Sequence, residues 1–320
     1  EGFIIHSDQP FPIQIEADFI SLIGFTVICT RAANLSGRGI SINVNFQGVL
    51  LENLIIYRGV QADGATNSHG VTLAGNMTAD MEPINFRNLL VEQFSIGFYL
   101  IPPITIKIDN CTAVNSTTNG FDWRAGSSTL PKSITNCIAV NSGAVDFSIL
   151  PAAVIESNNA SQDNSAKGSG AINGVVLADF KDYLNGNYRP TWQGKLSQSG
   201  KDLSEFFDYD ISGDKREGYW SVGAYQAYDN SVVHTLRAEG LGGDYTTMSA
   251  WEAGEQRDLV ALDEAEILEC YNDWPEGLLD SVVIDTWVTS VTNDINIQAA
   301  PGSENNGVSE SGFWVWWNTN

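Results

Sequence analysis

The chain has 320 residues, 43% of them hydrophobic, enough to bury a core in one elongated domain or two compact ones. Its 39 acidic residues against 16 basic give a formal net charge of -23, a field that repels nucleic-acid phosphates and anionic lipid. No run of about 18 apolar residues occurs to cross a bilayer, so neither nucleic acid nor membrane insertion is expected.

Phe3-Ile4-Ile5 begins a strand at once, with neither an initiator Met nor a secretory leader before it, so the sequence reads as a processed or excerpted segment. A column of strand openings follows: Gly24-Phe25-Thr26-Val27, Asn53-Leu54-Ile55-Ile56 and Asn88-Leu89-Leu90-Val91. The pattern is clearest where Ile108-Asp109-Asn110-Cys111-Thr112-Ala113-Val114-Asn115-Ser116 recurs as Ile134-Thr135-Asn136-Cys137-Ile138-Ala139-Val140-Asn141-Ser142. Ser157-Asn158-Asn159-Ala160 is a further, weaker copy.

A second column keeps a steady lag behind the first: Gly70-Val71-Thr72-Leu73, Gly97-Phe98-Tyr99-Leu100, Gly120-Phe121-Asp122-Trp123 and Ala144-Val145-Asp146-Phe147. Within each strand apolar residues alternate, which turns one face inward. Constant strands separated by loops of varying length describe a solenoid with at least two strands per coil. Asn tolerates left-handed φ, and its amide can bond to the copy one coil away, so Asn53, Asn88, Asn110 and Asn136 are expected to form a ladder at a sharp corner.

This coil pattern resembles the right-handed parallel β-helix of the pectin-lyase-like superfamily over most of the chain. The resemblance implies an all-β solenoid with one short amphipathic capping helix. Asp244-Tyr245-Thr246-Thr247-Met248-Ser249-Ala250-Trp251-Glu252-Ala253, leading to the strand Ala265-Glu266-Ile267-Leu268-Glu269-Cys270, looks like that superfamily's N-terminal cap. Asp210-Ile211-Ser212-Gly213-Asp214-Lys215-Arg216, then Ser221-Val222-Gly223-Ala224-Tyr225-Gln226, looks like the segment that closes many secreted and phage-associated β-helices. The expected organisation is coils over 1–176, a closing segment over 177–226, a linker over 227–243, and a capping helix with first coils over 244–320.

That order inverts the one the resemblance implies, and reading 244–320 ahead of 1–226 restores it. A circular permutation, a subunit whose 244–320 segment completes its neighbour, and a tandem repeat of a longer polypeptide all fit. Roughly ten coils of about 4.8 Å make a rod of about 48 Å. A linker of roughly 17 residues reaches about 56–61 Å at full stretch, so closure within one chain is barely attainable. Forward completion generates a head-to-tail filament, with a second copy of the chain as partner. Its interface would be Phe313, Trp314, Val315, Trp316 and Trp317 at one end, Phe3, Ile4 and Ile5 at the other, and Trp251. The tryptophans also suit stacking on sugar rings, but an uncovered run of this kind is an aggregation liability, which favours the interface.

Candidate chemistry is sparse. Asp122 and Asp146 read as the same outward position of successive coils, about 5 Å apart, a spacing that suits a retaining glycosidase pair or a Ca2+ site. A solvated acidic face is the simpler explanation in so acidic a chain. Arg124 reads as inward or as the start of a loop, which leaves a lyase without its base. The three histidines, His6, His69 and His234, are too scattered for a zinc site or a triad, and His69 reads as a turn residue. Asp208, Asp210, Ser212 and Asp214 place oxygens around Gly213 as in a calcium loop without its distal Glu, so Ca2+ is the one ion to consider and no other cofactor is expected.

Low Lys and Arg with abundant Ser, Thr, Asn and Gly fit an extracellular, cell-surface or virion location. There, Asn34, Asn76, Asn110, Asn115 and Asn159 lie in Asn-x-Ser/Thr acceptors. Cys111 and Cys137 share an inward column and read as buried thiols, as does Cys29. The first expectation is a structural unit of an extracellular or virion-associated fibre. The alternatives are a polysaccharide lyase or hydrolase working from the Asp122 and Asp146 face, and a glycan-binding adhesin.

Overall fold

A chain can stack coil on coil only if each strand ends in a sharp corner, and the asparagines supply it. In the computed structural model Asn53, Asn88, Asn110, Asn136 and Asn158 take φ of 54°, 49°, 51°, 55° and 51°. The structure describes residues 3–316 apart from 31–36, 44–45, 60–66, 75–81, 102–104, 125–129, 150–153, 193, 217, 228–229, 263, 290–292 and 305–311. The corner amides bond from coil to coil: Asn88 Nδ2 donates to Asn53 Oδ1 at 3.0 Å and Asn136 Nδ2 to Asn110 Oδ1 at 3.1 Å. Two rungs of the expected ladder form; between them Asn110 Nδ2 donates to the Ser221 and Gly223 carbonyls and Asn88 Oδ1 accepts from Arg216, so the corner is sealed without an Asn88–Asn110 side-chain bond.

The chain divides into two compact units, 1–227 and 228–320. Among the described residues of the first, the coils build three parallel sheets. The first sheet contains Phe3–Ser7, Phe25–Cys29, Ile55–Arg58, Leu90–Glu92, Thr112–Val114, Ile138–Val140, Ala160–Ser161 and Ile172–Asn173. The second contains Ile13–Ile15, Arg38–Asn43, His69–Ala74, Ile96–Ile101, Asn119–Trp123 and Val145–Ile149. The third contains Ser21–Ile23, Leu50–Glu52, Ile84–Arg87, Ile106–Asp109, Lys132–Thr135 and Val154–Ser157. Each coil visits the three in turn, and parallel strands joined by such crossovers wind right-handed, so the fold is a right-handed parallel β-helix. The third strand of each coil hides in the sequence because a single left-handed Asn joins it to the next first-sheet strand, as in Ile106–Asp109, Asn110 and Thr112–Val114.

Inward residues of all three sheets make one interior column, including Val27, Ile56, Val91, Ile42, Leu73, Phe86 and Ile108. Phe98, Phe121 and Phe147 stack at 4.5 and 4.9 Å between centroids, within 4° of parallel. Such offset aromatic stacking fixes the register of the second sheet beyond what area burial alone supplies. Cys29, Cys111, Cys137 and Cys270 are free and buried, and the Cys111 amide donates to Cys137 Sγ at 3.4 Å.

From the Leu90–Glu92 strand onward the first sheet is buried on its outer side as well. Leu90, Val114, Ile138 and Val140 pack beneath Val175, Phe180, Tyr183, Tyr188, Leu196 and Val222 of the segment that follows the last coil. Arg216 pins that segment: its guanidinium donates to the carbonyls of Ser221, Gly223 and Ala224 and to Asn88 Oδ1 and Gln226 Oε1.

The second unit carries a helix, Met248–Glu255, opened by Thr247, whose hydroxyl accepts the Ala250 amide at 3.1 Å. Trp251 on its buried face, with Met248, packs on Leu236, Leu268 and Cys270. The sheet beneath is parallel, with Ser231–Leu236, Ala265–Cys270 and Ile295–Ala299 in that order. Ser231–Leu236 falls inside the stretch expected as linker. Its alternation of Val232, His234 and Leu236 pairs it in register with Ala265–Cys270, so that stretch is a coil strand.

Candidate functional site

Alternation on the second sheet sends Val71, Leu73, Phe98, Leu100, Phe121 and Trp123 inward, so Thr72, Tyr99 and Asp122 form an outward row. Ser41 precedes this row and Ser148 follows it in register. Asp122 therefore neighbours Ser148. Asp146 lies two residues short, because the Phe121–Phe147 stack overrides the alignment read from sequence. The expected carboxylate pair does not form: Asp146 is buried and accepts the amides of Gln162 and Asp163 at 2.7 and 3.2 Å.

What gathers on this face is a different set of residues. Arg124 sits two positions beyond Asp122 and so returns to the outward side, with Nε and Nη2 donating to the Asp122 carboxylate at 3.2 and 3.0 Å. Its guanidinium lies 5.3 Å over the Tyr99 ring, a cation–π placement that points the charge along the sheet. Tyr99 stacks on His69 at 4.4 Å, and His69 Nδ1 lies 3.2 Å from Thr72 Oγ1. On the far side Arg38 donates to Ser41 Oγ at 3.3 Å and lies 5.2 Å over Phe11. Pro10, Phe11, Arg38, Asn67, His69 and Tyr99 line a depression of about 340 Å³.

Burial pushes the His69 imidazole down to about 4, and the positive charges of Arg38 and Arg124 push the same way against Asp122. At neutral pH the ring is uncharged. With Nδ1 turned to Thr72, Nε2 makes no hydrogen bond among the described residues. In the tautomer whose Nδ1–H donates to Thr72 Oγ1, the stacked imidazole presents its Nε2 lone pair to an anionic ligand that the guanidiniums hold, as a base weaker than free imidazole.

Other sequence candidates are accounted for elsewhere. Arg189 occupies the presumed calcium loop, with Nη1 3.2 Å from Asp210 Oδ2 and Nη2 2.9 Å from Asp214 Oδ2 and 3.3 Å from Ser212 Oγ. The cation those oxygens meet is thus a guanidinium, while Asp208 contributes its backbone carbonyl to the Arg216 amide. Asn110 and Asn159 are wholly buried and donate to backbone carbonyls, which excludes them as glycan acceptors in the folded chain. Asn115 accepts the Tyr183 hydroxyl at 2.8 Å. Asn34, Asn76 and Trp317 lie outside the described residues.

Of the expected interface, Trp251 is an interior residue, fully buried, with Nε1 donating to Glu266 at 2.8 Å. Phe313 meets Trp274 edge-on, and Trp314 backs onto Gly277 at a φ of 75°. Val315–Trp316 pairs with Leu278–Leu279. Phe3 and Ile4 are exposed, and Ile5 is half-buried.

Fold and face together define a β-solenoid with a cation-bearing sheet surface. The crystal structure of pectate lyase Pel9A is similar to this chain at 15% identity and a TM-score of 0.40, over 68% of this chain and 69% of that one. No protein-family model matches the sequence, and no curated protein is significantly similar to it.

Proposed function

We propose that this chain is an extracellular β-helix that engages acidic polysaccharide on the outer face of its second sheet, with His69 as proton acceptor. The His69 ring stacked on Tyr99, with Arg124 over the same tyrosine and Arg38 lining the same depression, carries this reading. Guanidiniums bind carboxylates by charge-assisted, often bidentate hydrogen bonds, and here they stand out in a chain of net charge -23. With a uronate carboxylate so held, His69 Nε2 takes the C5 proton. The freed electron pair forms the C4=C5 double bond, the C4–O glycosidic bond breaks, and the leaving oxygen collects a proton from Tyr99 or water. Among the described residues no helix is long and apolar enough to cross a membrane.

Incubation with polygalacturonate, alginate and hyaluronan, followed by ultraviolet absorbance for unsaturated uronate, tests this. His69→Gln should cut product formation by about 10²–10⁴-fold while binding persists. Arg38→Ala with Arg124→Ala should abolish binding, and an inert protein that retains none of the three polymers would overturn the reading.

A second reading, a subunit or tandem unit of a head-to-tail fibre, is favoured by the strand edges. Phe3–Ser7, Ile13–Ile15 and Ser21–Ile23 lie at the outer edges of their sheets, where Phe3, Ile4 and Ile23 are exposed. An edge strand can template a further strand, and a second copy of the chain is the partner in this reading. Negative-stain images should then show filaments that lengthen with concentration; short rods at every concentration would count against it.

A further inference from the structure

We propose that the corner between the first sheet and the segment folded over it is a second carbohydrate site, one that takes neutral, hydroxyl-rich sugar. Its origin is the repeated Val-Asn-Ser of the coils. Asn115 and Asn141 both take left-handed φ, 57° and 58°, and Asn141 Nδ2 donates to Asn115 Oδ1 at 2.7 Å. Gln93 holds the same corner one coil earlier, with φ of 65°. Opposite this ladder Tyr183 donates to Asn115 Oδ1 at 2.8 Å and Tyr188 to Glu92 Oε1 at 2.6 Å, which fixes the far wall.

The depression between the walls holds about 580 Å³ and runs on into another of about 360 Å³, the two sharing Gln93, Asn115 and Asn141. The result is a groove along the helix axis whose polar groups recur at one coil rise, about 4.8 Å. A linear glycan presents its rings at a similar repeat, so successive sugars can meet equivalent side chains.

Chemistry narrows the occupant. Among the described residues no Lys or Arg lines the groove, and Glu92 is its one charged group, which disfavours an anion. Amides and hydroxyls both donate and accept, as sugar hydroxyls do. The Ser116 hydroxyl lines the groove, is buried, and has no hydrogen-bond partner among the described residues, an unmet capacity that native proteins rarely leave. Leu184, 86% exposed, and half-buried Tyr57 stand on the rim and suit the C–H face of a pyranose. A peptide strand is disfavoured because the corner backbone is already spent: the Gln93 and Asn115 amides donate to Val114 and Val140 at 3.1 and 3.2 Å.

Calorimetric titration of the full chain with tetrasaccharides of β-1,4-linked glucose, mannose and xylose, and separately with tetragalacturonate, tests the proposal. At least one neutral tetrasaccharide should bind saturably. Leu184→Asp and Gln93→Gly should each weaken that binding about tenfold with the melting temperature unchanged, the second keeping the left-handed corner. Arg38→Ala should leave neutral-sugar binding intact while reducing tetragalacturonate binding, so failure of this site and failure of the second-sheet reading are told apart. Absence of neutral-sugar binding, or binding indifferent to both groove variants, or loss of it in Arg38→Ala, overturns the proposal; so does selective capture of an extended peptide by the same groove.

Discussion

The outer faces of the first and second sheets stand on one interior column and have opposite fates. On the first, Val114, Ile138 and Val140 are apolar and lie beneath Phe180, Tyr183 and Val222. On the second, the equivalent outward positions are the polar Thr72, Tyr99 and Asp122, of which Thr72 and Asp122 are buried among side chains of the same face, and a depression opens beside Tyr99. Inward residues thus decide that the chain coils, and outward residues decide what each side of the coil does. A solenoid separates these two tasks because alternate residues of one strand never share a face.

The separation can be broken most severely through the cover of the first sheet. Arg216 is buried, held down to about 9 by that burial, and satisfies three carbonyls and two side-chain oxygens. Arg216→Ala orphans those acceptors and should cost about 3–5 kcal/mol in denaturant unfolding. A loss below about 1 kcal/mol would show that the cover holds by apolar packing alone.

His69 gives a smaller, pH-dependent effect on the other face. Its folded value of about 4 lies below the ordinary 6.5, so above pH 6.5 the ring is neutral in both states and stability is unaffected. As pH falls from 6.5 towards 4 the unfolded chain takes the proton first, and stability drops by roughly 3 kcal/mol. Unfolding free energies of His69→Gln measured across that window should lack this limb; parallel curves for the two proteins would mean the imidazole is not held neutral. The smallest effect belongs to Arg124→Ala. Its side chain is more than half exposed but the Asp122 carboxylate it pairs with is buried, so the substitution leaves that carboxylate unpaired and should cost about 1–3 kcal/mol, alongside a marked loss of polyanion binding. Comparable losses of stability in Arg216→Ala and Arg124→Ala would erase the distinction between cover and site.

Several of these features are legible in the sequence. The Asn corners follow from residue chemistry, since few other side chains sit at left-handed φ, and Asn53, Asn88, Asn110 and Asn136 all do. Inward parity placed Cys111, Cys137, Phe121 and Trp123 in the interior. The same parity, carried two positions past Asp122, puts Arg124 outward, and Tyr99 shares its side, so part of the second-sheet cluster could be found by counting alternate residues. Arg38 and His69 could not be read that way, because both open their strands beside loops of differing length.

Sequence by itself, then, determined the repeat, the corners and the side of each strand that faces in, because these are local consequences of backbone sterics and period-two geometry. Register between coils was decided only in three dimensions, where stacking of Phe98, Phe121 and Phe147 outweighed the matching of aspartates and moved Asp146 away from Asp122. Tertiary structure alone also chose which outer face is covered and which oxygens meet a cation. Arg189 reaches Asp210 and Asp214 across a separation in sequence that no local rule spans, and free energies of that kind depend on distance in space.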